Sequence, residues 1–238
     1  MEAWHVARTM RVLELLAYAP MSAPQLAEAL GAHPRTVRRV LARLAEEEYV
    51  VYDSDRRYSS TMRLVALAGQ VLGNSMLIKR ARPYLALAHE RTGAIAELLM
   101  PSYESVLCVL RVTGEGEIAG PAVQEIAPAH ASAGGKVLLA ARPRWRESVL
   151  GRSLEPHVDH TITDPMVLRR ELNNVLANGY ATEPDESRPD VMTIAAPITL
   201  GSETVAALQV TGSEINDYIT RLLMPTAREF SDDLQTTP

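Results

Sequence analysis

The stretch Met21 to Tyr58 constrains this chain most, because its punctuation leaves room for little besides two short helices and a two-stranded wing. Ala23 to Leu30 reads as a first helix, Gly31 interrupts it, and Pro34 opens a second where a missing N–H costs nothing. In that second helix Val37, Val40, Leu41 and Leu44 recur at i, i+3, i+4 and i+7, so they face a core. Arg35, Thr36, Arg38, Arg39, Ala42 and Arg43 are left outward. Such a face fits a DNA major groove, where arginine can take guanine O6 and N7 together and threonine or alanine can touch a thymine methyl. Tyr49 to Tyr52 and the segment ending at Tyr58 read as strand, polar tip, strand, which brings Arg56 and Arg57 to phosphates or a minor groove.

The rival reading is a solvated arginine face, since the chain uses 22 Arg against two Lys and composition alone would enrich any surface in arginine. Net charge does not separate the two readings: residues 1–62 hold eight arginines and eight acids. Segregation does. Glu46, Glu47 and Glu48 gather at the far end of the second helix, behind the arginine face, and local field is what meets phosphate. The whole chain, at −5, argues against a non-specific nucleic-acid coat and suits a sequence-specific reader joined to a larger acidic domain.

Its 238 residues, 47% hydrophobic, favour two domains. Trp4 to Ala19 carries Val6, Met10, Leu13, Leu16 and Ala17 at helical spacing, a helix to pack behind the DNA-reading pair. Residues 1–60 thus form a winged helix-turn-helix domain. Thr61 to Leu72 and Met76 to Arg91 stay helical around a break at Gly73 and Asn74, giving a helical linker over 61–92. After Gly93 the period shortens, and Ile95–Met100, Ser105–Val112, Val191–Ile198 and Thr204–Val210 read as strands of a buried, mostly antiparallel sheet. Helices are expected over 132–141, over a segment with Asp164 as N-cap and Gly179 as stop, and from after Ser213 to Leu234, kinked or split at Pro225. The expected fold class is α+β, with residues 93–238 an α/β domain. A single cysteine, Cys108, within an apolar run fits a cytosolic protein, and the sequence has no apolar stretch long enough to span a bilayer.

With both halves placed, the chain resembles the IclR family of transcriptional regulators, a winged helix joined to a GAF-like ligand-sensing domain. The resemblance runs from about Val6 to Leu234 and rests on His130-Ala-Ser-Ala-Gly-Gly-Lys-Val-Leu-Leu-Ala140, on Gly179-Tyr-Ala-Thr-Glu183, on Ile194-Ala-Ala-Pro197 and on Ala206-Ala-Leu-Gln-Val210. It implies a homodimer or homotetramer on a palindromic or repeated operator in double-stranded DNA, most often a repressor, controlled by a small organic effector. Departures stand out. Glu48 replaces the usual glycine before the wing, which suggests a different path into it. Glu183 stands where many members carry Asp, Thr193 where they often have Cys, and Gln209-Val-Thr211-Gly replaces a frequent S-V-S-G. In the family these positions line the effector pocket.

The residues support a site on their own account. Ser132 to Gly135 begins a helix whose first N–H groups, at Ala133 and Gly134, favour an anion, and Thr193 and Thr211 sit on strands able to face that end. Free N–H groups at one end and Glu183 at the other would suit a molecule with a carboxylate and a hydroxyl or amine, oriented by Gln209, Thr193 and Thr211 against a wall of Leu98 and Met100. The rival is that the small residues merely permit close helix–sheet packing. No catalytic centre, metal or cofactor is expected. The Gly114-Glu-Gly116 outline runs into Gly120-Pro121 where a dinucleotide motif needs a helix, His157-Val-Asp159-His160 has no second cluster, and Cys108 with His130 reads as packing. The alternatives to a ligand-responsive regulator are a constitutive DNA binder whose second domain only dimerises, and an enzyme-like binding domain with a DNA-binding appendage.

Overall fold

The computed structural model describes residues 2–103, 105–112, 118–119, 126–184, 186, 192–212 and 216–236, which fall into two compact units, Met1–Asn74 and Ser75–Pro238. The Gly114-Glu-Gly116 outline and Ser213 lie outside the described residues. Of the two helices expected as a linker, α4 (Met62–Asn74) belongs to the first unit and α5 (Met76–Thr92) to the second.

The first unit runs α1 (Glu2–Tyr18), α2 (Ala23–Ala29), α3 (Pro34–Glu46), β1 (Val50–Tyr52), β2 (Tyr58–Ser60) and α4. Its core joins Val12 and Leu16 to Leu26, Val37, Leu41, Leu44 and Val50. This corrects the register of α1: Val6, Met10 and Ala17 are exposed and Leu13 only half-buried, because the helix turns Val12 and Leu16 inward. Gln25 accepts from the Ser22 N–H and hydroxyl to open α2, and the His33 ring caps α3 through the Arg35 N–H. In α4 no residue is buried; Met62, Val65, Leu67 and Val71 are all exposed.

Glu48 leads from α3 into the wing. It adopts φ 60°, as a glycine would, and closes α3 with Glu48 N donating to Ala45 O and Tyr49 N to Leu44 O, the paired bonds of a Schellman ending. The turn into the wing thus takes the left-handed conformation that a glycine adopts freely, held by a residue with a Cβ that opposes it. Removing that Cβ is expected to help. Glu48→Gly should raise the unfolding free energy by about 1 kcal/mol, read as a higher urea midpoint, since the exposed Arg63 contact it gives up, at 3.5 Å, is worth little.

The second unit is a seven-stranded sheet with α5 and α9 (Asp217–Gln235) against it and α6 (Ala133–Ala141), α7 (Pro143–Leu150) and α8 (Pro165–Asn178) in a second helical layer. Its strands are β3 (Ile95–Ser102), β4 (Ser105–Val112), β5 (Ile118–Ala119), β6 (Ile126–Pro128), β7 (Ala181–Pro184), β8 (Met192–Leu200) and β9 (Glu203–Gly212), in the order β5-β4-β3-β9-β8-β7 with β6 also on β4. Every pairing is antiparallel. α9 runs unbroken through Pro225, and Gly73 and Asn74 fall inside α4, the break coming at Ser75, which caps α5. The side chains of one sheet face meet α6: Glu97 and Leu99 on β3, Ala207, Gln209 and Thr211 on β9, Thr193 and Ala195 on β8. The alternate set, Ala96, Leu98, Ile194, Leu208 and Val210, is fully buried on the other face, which α5 and α9 cover.

Candidate nucleic-acid interface and ligand site

The buried stripe of α3 is Val37, Leu41 and Leu44, so at 100° per residue its opposite side carries Arg35 and Arg39, flanked by Arg38 and Arg43. All four arginines are exposed and Thr36 is half-buried. Arg43 is paired with Glu46 at 2.6 Å, both side chains well exposed. Arg39 and Arg43 also edge an open apolar groove of about 680 Å³ whose walls include Met10, Leu13, Val40, Leu64 and Leu67. The wing is organised by Asp53, whose Oδ1 accepts from the N–H groups of Asp55 and Arg57, and Arg56 at its tip takes φ 60°. Tyr58 pairs with Met21 and so ties the wing to the start of the helix-turn-helix.

In the second unit, α6 starts against the sheet because two glycines let it. A Cβ on Gly134 would stand 2.2 Å from Leu99 Cδ1 and 3.0 Å from Gln209 Oε1, and one on Gly135 would stand 2.2 Å from the Ala129 backbone oxygen. Close packing is thus one real role of these glycines. It also sets a polar cluster between α6 and the strand ends. Ala133 N donates to Glu183 Oε2 at 3.1 Å, Gly134 N to Gln209 Oε1 at 3.2 Å, and Gly135 N to the Ser132 hydroxyl at 3.1 Å. The expected free N–H groups are therefore occupied: Glu183, expected at the far end of a ligand, itself caps the helix. Gln209 Nε2 goes on to Glu97 Oε2 at 2.6 Å, Thr211 lies 3.3 Å from the same oxygen, and Thr193 lies 3.3 Å from Thr211.

Ala133, Gly134, Glu183, Thr193, Gln209 and Thr211 are thus brought together, whereas Leu98 and Met100 are not. They alternate with Glu97 and Leu99 and project from the other sheet face, so Leu99 is the apolar neighbour of the cluster. Glu97 and Arg111 were not foreseen. Arg111 grips Glu97 Oε1 through Nε at 2.8 Å and Nη2 at 2.5 Å across the β3–β4 register. The signal was present in the sequence as one acid in the apolar run Ile95 to Met100 and one arginine near the end of its hairpin partner.

Lys136, also unforeseen, is fully buried on α6 and pairs with Glu186 at 2.5 Å. Burial pushes the Glu186 carboxyl above the usual carboxylate range, and the nearby Glu183 and Glu171 add to this while Lys136 opposes it. Its Oε2 is buried without a hydrogen-bond partner among the described residues. His130, one turn before α6, faces the Glu155 carbonyl at 3.0 Å, and burial pulls its pKa below the ordinary 6.5, with His157 and Lys136 acting the same way. A lowered histidine pKa means that the native state binds fewer protons than the unfolded chain, so its contribution is present above about pH 6.5 and lost as pH falls through that value towards the lowered one. His130→Gln is expected to flatten this acid-side loss in urea unfolding followed across that window. Among the described residues no group of three metal-type side chains forms, and no helix is long and apolar enough to cross a membrane.

Comparison with known proteins joins these two units. The model of the IclR helix-turn-helix domain matches residues 5–54, and that of the bacterial transcriptional regulator IclR C-terminal domain matches residues 69–232. The chain is 32% identical to the HTH-type transcriptional regulator BhcR of Paracoccus denitrificans, over 94% of this chain and 85% of that one. In structure it is similar to an IclR transcriptional regulator from Alicyclobacillus acidocaldarius (TM-score 0.76, 27% identity, 97% of this chain and 98% of that one). It is also similar to an IclR homologue from Microbacterium hydrocarbonoxydans in complex with 4-hydroxybenzoate (TM-score 0.73, 25% identity, 98% of this chain and all of that one). An exposed arginine face on α3 and a polar cluster buried under a helix start suit a DNA-binding, ligand-responsive protein, and the chain belongs to the IclR family of transcriptional regulators.

Proposed function

We propose that this regulator is a repressor that binds a palindromic or repeated operator as a homodimer or homotetramer and is controlled by a small organic effector held beside the start of α6. Arg35, Thr36, Arg38, Arg39 and Arg43 read the major groove, and Arg56 and Arg57 take the backbone or minor groove beside it. One short helix reads only a few base pairs, so specificity needs a second half-site about one helical turn or a multiple away. The uncovered apolar side chains of α4 supply a seam for the second copy.

Effector control is supported best by one observation: Glu97, Glu183, Thr193 and Gln209, each over nine-tenths buried, gather beneath the start of α6 on one face of the sheet. Ala133, Gly134 and Thr211 complete the set. A polar cluster of this kind specifies a ligand more readily than it stabilises a core. The relative bound to 4-hydroxybenzoate suggests aromatic acids as first candidates. Occupied amides at Ala133 and Gly134 favour the second reading, a constitutive binder. The two separate in one experiment: operator fragments selected from genomic DNA are used in gel shifts with and without a metabolite panel that includes 4-hydroxybenzoate, alongside sedimentation of the free protein. Release of a two-fold duplex from a dimer or tetramer is expected. A monomer gripping a single half-site, or a complex that no compound loosens, would overturn the proposal.

A further inference from the structure

The hydrogens of the polar cluster can be assigned by elimination. Gly134 N–H can only donate, so the Gln209 atom facing it is the carbonyl oxygen and its amide nitrogen faces Glu97. Glu97 is ion-paired with Arg111 through Oε1, and its carboxylate can only accept. Thr211, 3.3 Å from Glu97 Oε2, must then spend its one proton on that oxygen. Thr193, 3.3 Å from the Thr211 hydroxyl, must in turn be the donor of that pair. Both hydroxyl protons are thereby committed to partners within the cluster. What Thr193 has left is two lone pairs.

From this order we infer that Glu97, fixed by Arg111, polarises a relay through Thr211 to Thr193 that makes Thr193 an acceptor and selects effectors bearing a hydroxyl or amino donor. The inference rests on the effector reading above and adds the residue that sets its chemistry. Glu97 itself accepts four hydrogen bonds, two on each oxygen, so it is a positioning residue rather than a ligand contact. An ether or a plain C–H at the same place leaves the Thr193 lone pairs unmatched. A carbonyl meets them acceptor to acceptor.

The test is thermal melting of the full chain with matched pairs of compounds that differ by a single donor: 4-hydroxybenzoate and benzoate, 4-aminobenzoate and benzoate, lactate and propionate, and a wider library built the same way. For the stabilising compounds, loss of the donor is expected to weaken apparent affinity by about 10- to 100-fold in the wild type. Thr193→Val should bring that ratio near one, Thr193→Ser should restore it, and Glu97→Gln, which puts an amide proton opposite Thr211, should lower it to about threefold or less. A merely structural role would weaken both members of a pair alike. Should Glu97→Gln fail to fold, the two Thr193 variants decide the matter unaided. Equal binding of both members by the wild type, or a ratio unchanged in Thr193→Val, would overturn the relay and leave effector binding standing. A library in which nothing stabilises the wild type would overturn both.

Discussion

Lys136→Met is expected to lower the unfolding free energy of the second unit by about 3–5 kcal/mol, the usual consequence of stripping one partner from a buried ion pair. Lys136 and Glu186 have side chains only 1% and 7% exposed, so water cannot take over the lost contact. Methionine fills nearly the same volume, and what remains is an uncompensated carboxylate whose second oxygen has no hydrogen-bond partner among the described residues. The deficit should depend on pH in a definite direction. A carboxyl whose folded pKa is raised binds protons more readily in the native state, so stability falls as pH climbs from the ordinary carboxylate range through the raised value. Without Lys136 that rise is larger, and the deficit is expected to shrink as the medium is acidified. The double variant Lys136→Met with Glu186→Leu should recover most of the loss. Urea unfolding at two pH values measures all of this, and a single variant as stable as the wild type would show that Glu186 reaches water.

Arg39→Ala is expected to weaken operator binding by about 10- to 100-fold, equivalent to the roughly 1–3 kcal/mol of one bidentate arginine contact with a guanine. Arg39 lies nearly opposite the buried Val37, Leu41 and Leu44, and it is exposed, so its removal should leave the melting temperature unchanged. Arg57→Ala at the wing should instead weaken all duplexes by similar factors and reduce the salt dependence, since phosphate contacts carry no sequence. Gel shifts on operator and scrambled duplexes at two salt concentrations separate the two. Equal losses on both duplexes for Arg39→Ala would remove it from the base-reading face.

Much of the architecture was legible in the sequence because local rules wrote it. Pro34 at N1, Asp164 as N-cap and Gly179 in the left-handed region mark helix ends where the structure has them, and Ser105–Val112 is a strand over the same residues. Those signals depend only on neighbours in the chain. Pro225 misled for the opposite reason. Residues packed from elsewhere keep α9 intact around it, and the sequence shows only the lost N–H.

The candidate ligand site divides along the same line. Which residues sit near α6 was readable for Ala133, Gly134, Glu183, Thr193, Gln209 and Thr211, through resemblance and through the helix start. Which face each strand residue takes was not, because a period of two assigns two faces without saying which one meets the helix. Leu98 and Met100 therefore fell on the wrong side, and Glu97 went unnoticed although it adjoins Leu98. The sequence by itself determined a helix-turn-helix with arginines on one side and an antiparallel sheet with a helix starting over it. Only the tertiary structure decided how the buried charges pair, Glu97 with Arg111, Lys136 with Glu186 and Glu183 with the amides of α6. The reason is physical: a charge taken out of water must find its partner in space, and those partners lie 14 and 50 residues away along the chain.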